Sequence, residues 1–155
     1  MADLPQILLV PVDGSRNSSR AAAQAARFAE QLDVRVRLLY AFPETPTELF
    51  GVPSESPDPG TLKYFSPDEF EKLRQESADA AFSAARKAIG ETGVEVEQEL
   101  LKGEAGKAIL DHASSTSDAM IVMGNRGLSH FKEIMMGSTT QQVLHKAKCP
   151  VLVIR

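Results

Sequence analysis

Hydrophobic residues in this chain come in short solid blocks, and the segments between the blocks carry apolar residues at helical spacing. Residues 7–12, Ile-Leu-Leu-Val-Pro-Val, form an apolar run that ends at Asp13-Gly14-Ser15. Such a run predicts a strand buried on both faces, with Pro11 near its carboxyl end, where ladder bonds are already lost. Residues 18–32 place Ala22, Ala25, Ala26, Ala29 and Leu32 on one stripe, which predicts a helix lying close on a sheet. Residues 35–41 predict a second strand. Residues 42–67 hold six of the nine prolines and show no helical or strand period, so residues 43–66 are expected to be a long flexible loop. Ser66-Pro67-Asp68-Glu69 predicts a helix start, and Phe70, Leu73, Ala78, Ala81, Phe82, Ala85 and Ile89 continue its stripe to Gly90. Residues 94–101 predict a strand with one wet face near a sheet edge. Residues 103–106 predict a turn, and residues 107–115 a short helix carrying Ala108, Ile109 and Ala113. Residues 119–123 predict a buried strand, residues 124–137 a glycine-bounded loop, and residues 138–146 a helix with Val143, Leu144 and Ala147 inward. Residues 151–154 predict a last strand.

Strands and helices therefore alternate, which implies an α/β fold with a parallel sheet covered on both faces. The length of 155 residues favours one domain over residues 1–155, able to bury roughly 70% of the surface its unfolded form exposes. With 43% hydrophobic and 25% charged residues the composition is that of a globular protein, and no apolar run approaches the roughly 20 residues of a membrane span. The N-terminus has no basic stretch before its apolar run, so a secretory signal is not expected. A net charge of -4 argues against non-specific nucleic-acid binding. The single cysteine, Cys149, allows no intrachain disulfide and fits a reducing, cytoplasmic location.

Ligands of open parallel sheets sit beyond the carboxyl ends of the strands, so the residues that follow the strands are the candidates. These are Asp13-Gly14-Ser15, Ala41-Phe42 and Gly124-Asn125-Arg126-Gly127. Gly137 followed by Ser138-Thr139-Thr140 opens the last helix, where free N–H groups and the positive dipole end make an anion site; it also reads as an ordinary cap. Asp13 reads equally as a turn cap or as a ligand contact. A phosphoacceptor role is disfavoured because the third strand ends Leu100-Leu101-Lys102 and supplies no second acid. His130 and Lys132 lie in the glycine-bounded loop, His145 near Lys146 and Lys148 suits dipole compensation, and Cys149 reads as a packed thiol. Phe131, Ile134, Met135 and Met136 make an apolar patch, read as local packing or as a partner surface. No zinc spacing, nucleophile elbow or general base is evident.

Gly124, Gly127, Gly137 and Ser138 together have the spacing G-2x-G-9x-G-(S/T) after a predicted strand and at a predicted helix start. With residues 7–15, Lys102-Gly103, residues 118–127, 136–139 and 149–154, this sequence resembles the universal stress protein family in its ATP-binding branch. The resemblance implies a Rossmann-like, adenine nucleotide alpha hydrolase-like sheet of order 3-2-1-4-5, usually dimeric. ATP, with Mg2+ in company, would lie across the ends of strands one and four. Pro11, Val12 and Asp13 would border the adenosine and Ala41 the adenine. Met123, Gly124, Arg126 and Gly127 would line ribose and phosphates, and Gly137, Ser138, Thr139 and Thr140 would hold the phosphate tail. Thr139 stands where many members carry valine, and Arg126 where other polar residues also occur. The implied function is a nucleotide-dependent regulatory or signalling protein of the stress response without efficient catalysis. The alternative is a protein-interaction module of the same fold that binds no nucleotide. An adenylyl-transferring enzyme is disfavoured, since the acidic and basic residues for it are missing. In that strand order residues 151–154 are an apolar edge with nothing to blunt pairing, so a homodimer through this strand is expected, with a further protein partner unknown.

Overall fold

A computed structural model describes residues 3–125 and 136–155. Its centre is β1 (Ile7–Pro11), whose solid apolar run has a simple cause. Leu8 and Val10 point into one core with helix α1 (Arg16–Leu32), while Ile7 and Leu9 point into a second core on the opposite face. Both sides of the strand are therefore buried, as a central parallel strand requires. β2 (Arg35–Phe42) and β4 (Ala119–Gly124) flank β1, and β3 (Val96–Lys102) and β5 (Val151–Ile154) are the edges. The sheet is parallel throughout, in the order β3-β2-β1-β4-β5. α1 and α4 (Pro67–Ile89) cover one face, and α5 (Ala105–Ser114) and α6 (Ser138–Lys146) the other. Alanines at 22, 25 and 29 of α1 and 78, 81 and 85 of α4 are all buried, so small side chains let both helices lie close on the sheet.

Several expectations are corrected. Residues 43–66 do contain helical turns: α2 (Pro46–Phe50), α3 (Pro59–Leu62) and a 3-10 turn (Lys63–Phe65). Two of the prolines in that stretch open these turns, because Thr45 and Asp58 cap them and Pro46 and Pro59 take the first position, where a missing N–H costs nothing. α5 begins at Ala105, within the predicted turn, because the Glu104 carboxylate accepts the N–H groups of Gly106 and Lys107 at 3.0 and 2.9 Å. α4 starts at Pro67 as expected, but the Ser66 side chain makes no capping bond. β3 begins at Val96 and runs through Lys102, pairing residue for residue with β2 up to Phe42. Leu32 and Leu144, expected inward, are 38% and 41% exposed. Leu32 is the last residue of α1, past the final core alanine, and Leu144 lies 100° round the helix from the buried Val143.

Candidate functional site

Three strand ends and one helix start meet at a cavity of about 250 Å³. Its walls come from Pro11, Val12 and Asp13 after β1, Leu39 and Ala41 of β2, and Met123 and Gly124 of β4. Ala105 and Ile109 of α5, Ser18 of α1, and Gly137 with Ser138, Thr139 and Thr140 at the start of α6 complete them. Ten of the twelve residues chosen from the sequence are thus brought together here. Arg126 and Gly127, like His130, Phe131, Lys132, Ile134 and Met135, lie outside the described residues.

Local chemistry holds each wall. Past β1, the Val12 N–H donates to the Leu39 carbonyl at 2.8 Å, so the chain leaves the strand still tied to its neighbour. Asp13 Oδ1 accepts the Ser15 N–H at 2.9 Å, closing a turn in which Gly14 has φ 83°, a conformation open to glycine. Ser15 then caps α1 through its Oγ to the Ser18 N–H, and Ser18 Oγ accepts the Asp13 N–H at 3.2 Å. Asp13 is thus a turn cap that also faces the cavity. At the other side, Gly124 abuts the first turn of α1: a Cβ there would stand 3.0 Å from the Asn17 carbonyl oxygen. The Thr140 hydroxyl donates to the Gly124 carbonyl at 2.8 Å, the Gly137 N–H to the Asn125 carbonyl at 2.7 Å, and the Asn125 N–H to the Ile154 carbonyl at 3.0 Å. The end of β4, the end of β5 and the start of α6 form one hydrogen-bonded frame. The first-turn N–H groups of α6 have no partner within the helix and carry its positive dipole end, so this end of the cavity suits an anion. Val12, Leu39, Ala41, Ile109 and Met123 give the cavity an apolar lining, which suits a flat ring.

Over residues 5–155 the sequence matches the universal stress protein family. The chain belongs to that family. Universal stress protein MJ0531 of Methanocaldococcus jannaschii is 30% identical over 148 residues, covering 96% of this chain and 81% of that one. The solved structure of hypothetical protein MJ0577 has the same fold, with a TM-score of 0.75 at 24% identity over 98% of this chain and 96% of its own. The universal stress protein of Archaeoglobus fulgidus, solved in complex with dAMP, has a TM-score of 0.59 at 25% identity, with 100% of both chains covered.

In this universal stress protein, four cavity residues escaped the sequence reading. Ser18, Leu39 and Ile109 lie inside their elements rather than just after a strand, and Ala105 lies in a helix that starts two residues earlier than its sequence pattern indicates. The cap at Glu104 was the available signal. Asp13 is the one ionisable group among the described lining residues. Tyr40, whose ring packs edge-on against Phe82, has its phenol pushed above the ordinary value by burial, opposed by a bond to Ser77 and helped by the Asp13 charge. Burial likewise raises the half-buried Cys149 thiol, in keeping with a packed group. Backbone N–H donation from Lys107 holds the Glu104 carboxyl below its usual range. Among the described residues no cluster of three metal-ligating side chains occurs, and no helix is long and apolar enough to cross a membrane.

Proposed function

We propose that this universal stress protein binds ATP in the cavity and acts as a nucleotide-dependent regulator without efficient turnover. The observation that carries the reading is the joining of two chemistries in one cavity: an apolar lining that includes Ala41 and Leu39, and an anion-receptive end at the start of α6. The adenine lies against the first and the phosphate tail reaches the N–H groups of Ser138 and Thr139. Thr139 adds a hydroxyl donor. Thr140 contributes less than its type suggests, because its proton is committed to the Gly124 carbonyl. Asp13 is the single described carboxylate facing the cavity and already accepts the Ser15 N–H, so Mg2+ enters held mainly by the phosphates, and among the described lining residues none is placed to serve as an efficient base. The dAMP complex of the Archaeoglobus fulgidus relative supports an adenine nucleotide as the ligand class.

The half-buried β5 edge supports a homodimer through Val151–Ile154. Calorimetric titration of the purified protein with ATP, with and without Mg2+, tests the binding, and chromatography of the mixture after hours at 37 °C tests the turnover. A saturable heat with unchanged ATP is expected. No heat from any adenine nucleotide replaces this reading with that of an interaction module, and rapid release of AMP and pyrophosphate replaces it with that of an enzyme.

A further inference from the structure

Arg74 on α4 is 4% exposed, the most deeply buried cation among the described residues. Its Nη2 donates to the Pro43 carbonyl at 3.2 Å and to the Glu44 carbonyl at 3.0 Å, and its Nη1 meets the Glu71 carboxylate. Its Cζ lies 5.9 Å from the Phe42 ring centroid and 5.1 Å from that of Phe70. Its Nε is the one buried side-chain nitrogen or oxygen without a partner among the described residues. Burying a charge is costly unless it is paired and hydrogen-bonded, so this guanidinium is tolerated through its pairing with Glu71 and the bonds it makes to one short stretch of backbone.

That stretch is the exit of β2. Ala41, in the apolar wall of the cavity, precedes Pro43 by two residues. Between them, the Phe42 carbonyl accepts the Gly103 N–H at 2.9 Å, and the next residue, Glu104, caps α5, whose first residue Ala105 also lines the cavity. The clamp on Pro43 and Glu44 therefore holds the junction from which two of the cavity's walls depart. We infer that Arg74 is a positioning residue for the apolar, base-receiving wall, setting Ala41 and Ala105 through Pro43, Glu44 and Phe42 while touching no ligand itself. This rests on the adenine-nucleotide reading given above.

A residue acting on the base wall affects the adenosine part alone. Arg74→Met keeps the apolar stem against Phe42 and Phe70 and removes every donor; Arg74→Lys restores one donor group to the carbonyls. The experiment is calorimetric titration of wild type and both variants with adenosine, AMP and ATP, each protein shown by circular dichroism and thermal unfolding to be folded at the assay temperature. Arg74→Met raises the dissociation constants of all three ligands by one common factor of about tenfold, within the range by which residues that touch no ligand modulate coupling, and Arg74→Lys recovers part of it. Amide exchange in Arg74→Met quickens at Ala41, Phe42 and Glu44. The inference is overturned if folded Arg74→Met binds all three ligands as wild type does. It is also overturned if the loss grows with each added phosphate, which would place the effect at α6. A wild type that binds no adenine compound fails the nucleotide reading itself and takes this inference with it, whereas binding by wild type with no change in the variants fails this inference alone.

Discussion

Gly124 belongs to the glycine motif that points to a phosphate, yet its surroundings give it a second task whose size can be worked out. Its φ is not positive, so the backbone there is open to any residue. What excludes a side chain is the approach of α1: an added Cβ would lie 3.0 Å from the Asn17 oxygen, 3.1 Å from its carbonyl carbon and 3.3 Å from its Cβ. Two of those atoms are backbone, in the first turn of a helix capped by Ser15, and cannot swing aside as a side-chain tip does. Ordinary contact begins near 3.4 Å, so α1 and β4 have to part by about 0.4 Å. Both are pinned, α1 by its buried alanines and the end of β4 by the Thr140 and Ile154 bonds. Overpacking of a tight interior costs about 1–3 kcal/mol, which for a chain of this size lowers Tm by about 2–4 °C per kcal/mol. Urea unfolding of Gly124→Ala without ligand, read by circular dichroism, measures this directly. A loss within about 0.5 kcal/mol of zero, the range of ordinary surface changes, refutes the packing argument. If ATP binding then fell while stability held, the glycine would serve the ligand rather than the helix.

The remaining predictions are smaller in scope. Gly137 has φ -60° and ψ 150°, which valine adopts readily, so Gly137→Val stays folded but fills the phosphate approach. Losing two bonds to a charged group, each about 1.5–3 kcal/mol, weakens ATP binding by two orders of magnitude or more in calorimetry; equal affinity would move the phosphate elsewhere. Burial, followed by the Arg37 charge at 3.2 Å, pushes the His112 imidazole below its ordinary value of 6.5, with Glu99 opposing. The unfolded chain then binds more protons, so stability falls as pH drops through about 6.5. Urea unfolding across pH 5 to 8 should show that slope, reduced in His112→Gln; an unchanged slope would remove His112 as its source. Sedimentation at micromolar concentration should give about twice the chain mass of 16.8 kDa if β5 pairs with its copy, and a single-chain mass would show the edge to be tolerated unpaired.

Much of the architecture was legible because it depends on short-range pattern. A strand buried on both faces must be apolar at consecutive positions, and β1 and β4 announce themselves in that way, while β5 carries the same kind of run as a half-buried edge. Helices packed close on a sheet need small residues at helical spacing, and α1 and α4 show them. Asp13, Ala41, Gly124 and the glycine-opened helix start followed from the strand ends, Pro11, Val12 and Met123 from the family resemblance, and these ten residues line one cavity. Strand order was carried by the family resemblance, since periodicity fixes the face of a residue and says nothing of its partner. For the same reason the tertiary structure alone decided the rest. Arg74 drew no reading from the sequence, and its role appears only where the carbonyls of Pro43 and Glu44, 31 and 30 residues away in the chain, come within reach of its guanidinium. Thr140 reads as a phosphate donor until Gly124, sixteen residues earlier, takes its proton. Gly124 reads as a ligand residue until α1 is found against it. For Thr140 and Gly124 the local sequence permits both roles, and the choice is made by a backbone group that only folding brings alongside.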